Sequence, residues 1–223
     1  SGSNVISSAI GISIPQQNNG KTEYKGIDLG IDWKDKVGKD FTYYVGGTLN
    51  YIRTEVIENG EGYIPYDYLS GKGLPDGQLF GLEAIGYFRD EADIANSPQQ
   101  MFSEVRPGDI KYKDMNGDRI IDDNDVHPIG HSSSVPEIYY GLKLGLEYKG
   151  FGLDALFQGV AGYSRMMNVS SVYWPLRNNT NVSDWYLHDK IRWTEETRDI
   201  ANVPRLTTLN NSNNFRNSTQ WLV

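Results

Sequence analysis

The sequence predicts an all-β protein made of antiparallel hairpins from a transmembrane β-barrel with long extracellular loops. Three observations lead there. Apolar and polar residues alternate with period 2 in two places. The turn inside each alternating pair is only a few residues long. The two pairs are separated by roughly 80 residues, far beyond ordinary connections.

The first alternating pair spans about residues 25–52. Ile27, Leu29, Ile31 and Trp33 share one face, with Gly26, Asp28, Gly30 and Asp32 on the other. After the polar turn Asp35-Lys36-Val37-Gly38-Lys39, the face resumes in Phe41, Tyr43, Val45, Leu49 and Tyr51. The second pair spans about 138–161. Ile138, Tyr140, Leu142, Leu144, Leu146 and Tyr148 alternate with Tyr139, Gly141, Lys143, Gly145, Glu147 and Lys149. The turn at Lys149-Gly150 leads into Phe151, Leu153, Ala155 and Phe157 on the same side. Each strand has about ten or more residues, which a tilted strand needs to cross a bilayer. Trp33, Phe41, Tyr148 and Phe151 stand near strand ends, as an interfacial girdle requires.

The loops are expected at about 53–136 and 162–220, both mostly irregular. In the first, Asp90 is placed to cap a short helix ending at Asn96, and Arg106-Pro107-Gly108-Asp109 turns the chain into Ile110-Lys111-Tyr112. Short turns on one side and long loops on the other favour a barrel over a soluble sandwich.

Composition bounds the function. The chain has 223 residues, a net charge of -8, no Cys, 24 Gly, 15 Tyr and 5 Trp. The acidic balance argues against nucleic acid as a partner, and the lack of Cys removes disulfides, thiolate metal sites and Cys nucleophiles. No run approaches the roughly 20 apolar residues of a membrane helix, which says nothing about membrane strands. No signal peptide is visible, and Ser1-Gly2-Ser3 reads as the edge of a fragment or a cloning remnant.

The residues most suggestive of chemistry lie in the acidic loop 114–125. With Asp114 as the first position, oxygen donors follow at Asn116, Asp118, Asp122 and Asp125, with the carbonyl of Ile120 between them and Ile121 as a core anchor. This spacing suits a structural Ca²⁺. Arg119 stands where such loops favour Gly, and Asp125 is shorter than the usual Glu. The alternative is a solvated turn held by Asx hydrogen bonds.

No enzymatic constellation emerges. No carboxylate pair stands out for glycoside cleavage. His127 and His131 are separated by Pro128 and Gly130, which rules out one helical face. Ser132-Ser133-Ser134 reads as loop and Gly71-Lys72-Gly73 as a turn. Trp174, Trp185, Trp193 and Trp221 suit either sugar stacking or loop packing.

Several stretches, in order, resemble SusC/RagA-type TonB-dependent transporters: Asn18 to Gly30, Gly81 to Ala95, Arg106 to Asp125, Pro128-Ile129-Gly130, Pro136 to Leu142, and Tyr148 to Gly162. The resemblance implies a C-terminal fragment of a Gram-negative outer-membrane barrel importing glycans, peptides or other large nutrients. It further implies a SusD-like surface lipoprotein partner, and the TonB complex acting through an N-terminal region not visible here. Thr219 to Val223 is expected to begin another strand. The competing reading is a calcium-ordered extracellular glycan-binding β-sandwich module. A sandwich buries Leu142, Leu144, Leu146 and Phe157, whereas a barrel presents them to lipid.

Overall fold

A computed structural model describes residues 20–177, 181–209 and 211–223, without the side chain of Asp189. The opening Ser1-Gly2-Ser3 and the start of the Asn18 to Gly30 stretch lie outside the described residues. In chain order the elements are β1 (Lys21–Val37), β2 (Phe41–Glu58), β3 (Gln78–Gly81), β4 (Ala84–Tyr87), α1 (Glu91–Asn96), β5 (Gln99–Gln100), β6 (Ile110–Tyr112), β7 (Ile120–Ile121), β8 (His127–Ser132), β9 (Ile138–Tyr148), β10 (Phe151–Ala161) and α2 (Ser170–Tyr173). They divide into two compact units. Among the described residues, one comprises 20–62, Gly71–Gln78 and His131–Tyr163, the other Tyr63–Ser70, Leu79–Gly130 and 164–223.

The first unit is an open four-stranded antiparallel sheet in the order β1-β2-β9-β10. Both hairpins form where alternation places them, and the first runs to Lys21 and Glu58, beyond the expected 25–52. The β9–β10 turn holds Lys149 at φ 47° and Gly150 at φ 84°. Two positive φ angles give the type I′ turn, whose twist matches that of the flanking strands. Among the described residues the sheet does not close into a barrel.

The second unit corrects the expectation of irregular loops. Segments of both long connections fold together around one core containing Leu82, Ile110, Tyr112, Ile121, Val172, Tyr173, Tyr186, Val203 and Trp221. Short ladders β4–β6 (antiparallel) and β5–β7 (parallel) brace it. Asp90 caps α1 by accepting from Asp93 N at 2.8 Å, and Gly108 turns the chain into β6 with φ 87°. A Cβ on Gly108 would lie 2.4 Å from the Trp193 ring, so only Gly permits that packing.

The C-terminal stretch is not a strand. Thr219–Trp221 forms a 3₁₀ turn with Trp221 buried. Val223 and Arg165 exchange backbone hydrogen bonds at 2.9 and 2.7 Å. The alternation-poor segment Thr219 to Val223 is held by burial of one indole in the second unit's core. Trp193 is buried as well, so these two indoles serve packing and not sugar stacking.

Candidate functional site

The sheet of the first unit has two chemically opposite faces, and its register brings them into continuous rows. On one face lie Ile27–Tyr51–Ile138–Ala161, Leu29–Leu49–Tyr140–Gly159, Ile31–Gly47–Leu142–Phe157, Trp33–Val45–Leu144–Ala155, Asp35–Tyr43–Leu146–Leu153 and Val37–Phe41–Tyr148–Phe151, apolar throughout but for Asp35 near the turn end of β1. Leu142, Leu144, Leu146 and Phe157 are exposed, at 41%, 36%, 47% and 57%. A β-sandwich would have buried them, so that alternative is not the fold adopted. Isolated soluble proteins rarely expose so large an apolar surface.

This apolar belt has defined limits. β9 and β10 are each 11 residues long; β9 pairs in full with 41–51 of β2 on one side and with β10 on the other. Eleven residues at about 3.3 Å, tilted by about 40°, span about 28 Å, close to the apolar band of an outer-membrane strand. Phe41, Tyr148 and Phe151 close the belt at the turn end. At the other end the row beyond Ile27–Tyr51 is Lys25–Arg53.

The opposite face is polar and Gly-rich. Asp28, Asp32, Asn50, Lys143 and Gln158, together with the apolar Leu156 and Val160, line a concavity of about 990 Å³. Asn50 hydrogen-bonds Asp28 across the strand pair. Tyr44 lies across Gly145 and donates to Asp154 at 2.7 Å. A Cβ on Gly145 would sit 1.9 Å from Tyr44 Cε1, so the ring takes the place of a side chain. Aromatic cover over a strand glycine supplies the packing that the glycine lacks.

The acidic loop lies wholly in the second unit, and its oxygens are occupied by the chain's own N–H groups. Asp114 accepts from Gly117 N at 2.6 Å and Arg119 N at 2.8 Å. Asn116 accepts from Asp118 N, and Asp118 from Ile120 N at 2.7 Å. Asp122 accepts from Asn124 N at 2.7 Å. Asp125, fully buried, accepts from Met115 N at 2.7 Å and Asp122 N at 2.9 Å. Ile121 is fully buried, as an anchor should be, while the flanking Ile120 side chain is exposed. Arg119 adopts φ 67°, the conformation for which Gly is favoured at that position. Among the described residues, no three His, Asp or Glu side chains come together to hold a metal ion. These contacts form an Asx-turn array.

Tyrosines tie this loop to the segment 63–70. The rings of Tyr66 and Tyr68 stack at 5.3 Å, Asn116 donates to Tyr66 Oη at 3.3 Å, and Tyr68 donates to the Asn124 carbonyl at 2.6 Å. Burial raises the Tyr68 phenol above its usual range, with the Asp125 charge adding to the effect.

Composition concealed a buried polar network. Asp109, fully buried, binds Arg205 Nε at 2.7 Å, Asn211 Nδ2 at 2.7 Å, Asn214 Nδ2 at 3.1 Å and Arg106 N at 2.8 Å. Asn213 donates to the Ile110 carbonyl at 2.9 Å, and Tyr112 donates to the Asn213 carbonyl at 2.7 Å. Burial pushes the phenols of Tyr87, Tyr112 and Tyr186 far up and that of Tyr173 to about 12. No sequence signal separates these asparagines from loop asparagines.

The remaining candidates have structural places. Ser132 donates to the Asp76 carbonyl at 2.5 Å, and Ser133 N to the Gly77 carbonyl at 2.9 Å, fixing a turn. Gly73, at φ 80°, turns the chain so that its N–H meets the Val56 carbonyl. His127 lies 3.9 Å from Glu83, which is already paired with Lys113 at 2.8 Å.

The sequence matches no protein-family model and no curated protein. The fold is similar to a chain in a solved structure of "the RagAB peptide transporter", with a TM-score of 0.64, 20% identity, and coverage of 97% of this chain and 23% of that one. It is also similar to one in a structure of "the RagAB peptide importer in the 'closed-closed' state", with a TM-score of 0.61, 21% identity, and coverage of 98% and 23%. The chain therefore spans about a quarter of the length of those it resembles, and it shares their fold over nearly its whole extent.

Proposed function

We propose that this chain forms part of the wall and extracellular region of a TonB-dependent outer-membrane transporter of the SusC/RagA type. The observation that carries the reading is the exposed apolar belt, eleven residues long on β9 and β10, in register over four strands and opposed by a Gly-rich, mostly polar face. A membrane wall needs that pairing of faces. A water-soluble sheet has no use for an exposed row such as Leu142, Leu144 and Leu146.

In this reading the polar face lines the transport lumen and the co-folded loops belong to the extracellular side. The cargo is a large nutrient, either a peptide, as named for the similar structures, or a glycan. A SusD-like surface lipoprotein captures it, and the TonB complex supplies the work. The chain performs no catalytic step, and its compartment is the outer membrane of a Gram-negative bacterium.

The acidic loop enters as a proposed structural calcium site. Donor spacing at Asp114, Asn116, Asp118, Ile120, Asp122 and Asp125 and the left-handed Arg119 support it. The hydrogen bonds that already occupy those oxygens weigh against it.

Quenching by brominated lipid acyl chains tests the wall. Fluorophores attached at positions 142, 144 and 146 in vesicles should be quenched, and those at 141, 143 and 145 should respond to aqueous iodide instead. Equal aqueous access at both sets would sink the membrane assignment.

A further inference from the structure

Lys25 and Arg53 are direct cross-strand partners on the outward face. They occupy the first row beyond the apolar belt, next to Ile27–Tyr51. Like charges placed directly opposite on a sheet are destabilising. Lys25 is relieved in part by Glu23, at 2.9 Å on the exposed surface. Arg53 is exposed and makes no ion pair among the described residues. The carboxylates Glu23 and Glu55 form the next row outward, about 6–7 Å further along the strands. Two cations are thus held together at the boundary of the belt, with the acidic pair displaced away from it.

We propose that Lys25 and Arg53 bind the phosphate of an anionic lipid headgroup in the bilayer leaflet around the sheet. The proposal rests on the membrane reading above, which sets the apolar belt at the depth of the acyl chains and this row at the depth of the phosphates. A guanidinium offers two parallel N–H donors to phosphate oxygens, and an ammonium adds a compact point charge. One phosphate between them would neutralise the repulsion that the register imposes. The belt beneath supplies the complementary surface for the acyl chains, so the site selects a lipid and not a free anion.

The test uses the full chain in nonionic detergent, with retained lipid read by native mass spectrometry. Phosphatidylglycerol is the anionic probe, phosphatidylcholine the zwitterionic control, and inorganic phosphate the competitor. Wild type is expected to retain phosphatidylglycerol over phosphatidylcholine. K25Q/R53Q should lose about 25-fold of that retention, at roughly 5-fold per interfacial charge, while K25R/R53K keeps the preference. Equal retention by wild type and K25Q/R53Q overturns the proposal. So does displacement of the lipid by inorganic phosphate. Brominated acyl chains in the same samples should quench the fluorescence that W33F removes. Wild type without selectivity while its Trp33 is still quenched condemns the headgroup site alone, whereas an unquenched Trp33 in wild type overturns the membrane reading and this site with it.

Discussion

Arg205 closes over the buried carboxylate of Asp109, its Nε donating to Oδ1 at 2.7 Å and its Nη2 to Oδ2 at 3.3 Å. The two residues come from different long connections, so this ion pair fastens one to the other within the second unit. Removing the cation leaves a fully buried carboxylate served by Asn211, Asn214 and the Arg106 N–H alone. Arg205→Ala is expected to destabilise this unit by about 3 kcal/mol, the lower end for a broken buried pair. Denaturant melts followed by fluorescence of the buried indoles would check it, and a loss below about 1 kcal/mol would show that the amides suffice.

A pH effect is expected at Asp93. Burial alone would raise its pKa, but the hydrogen bond and charge of Lys111 at 2.7 Å and the Arg89 N–H outweigh this and hold the carboxyl below the ordinary aspartate range. A depressed folded-state pKa contributes stability that is present above the unfolded value and lost as pH falls through the folded one. The second unit should therefore weaken as pH drops below about 4, and Asp93→Asn should flatten that part of the acid limb. An unchanged acid limb in Asp93→Asn would exclude the pair as its source.

Arg119 holds a left-handed backbone that costs an ordinary residue about 1 kcal/mol or more. Arg119→Gly should relieve that strain while adding roughly equal freedom to the unfolded chain, so that net stability should change by less than about 1 kcal/mol. Hydrogen exchange of the Gly117 and Ile120 amides reads the difference locally. A calcium titration of wild type and Arg119→Gly belongs with it. Binding should raise the melting temperature in proportion to the logarithm of free calcium above Kd, and its absence in both proteins would leave the Asx-turn array as the full account of this loop.

The two faces of the sheet should respond oppositely to one charge. Leu144→Arg, within the belt, is expected to cost about 2–4 kcal/mol in a bilayer. Gln158→Arg, on the polar concave face, should cost little. Urea unfolding from lipid vesicles compares them, and equal penalties would contradict the assignment of faces.

Gly145 and Tyr44 provide a coupling test. Gly145→Ala drives a methyl into the Tyr44 ring and should destabilise the sheet by about 1–3 kcal/mol. Tyr44→Ala in the same chain should relieve most of that penalty, giving a clear interaction energy in a double-mutant cycle.

Local pattern was enough for much of this protein. Side chains in a strand alternate with period 2 whatever lies beside the strand, so Ile27 to Trp33 and Ile138 to Tyr148 declared their faces unaided. The Asp90 cap, the Gly108 turn and the Lys149-Gly150 hairpin were legible for the same reason, since each depends on a few consecutive residues. The pairing of β2 with β9, nearly ninety positions apart at Tyr51 and Ile138, was not. Nor was the joining of the two long connections around Trp221, or the burial of Asn211, Asn213 and Asn214 about Asp109. Those features arise from contacts between distant segments, whose entropy of closure is repaid only when the whole core assembles. An asparagine that looks like a turn residue in the chain becomes an interior hydrogen-bond partner only after that assembly has excluded water.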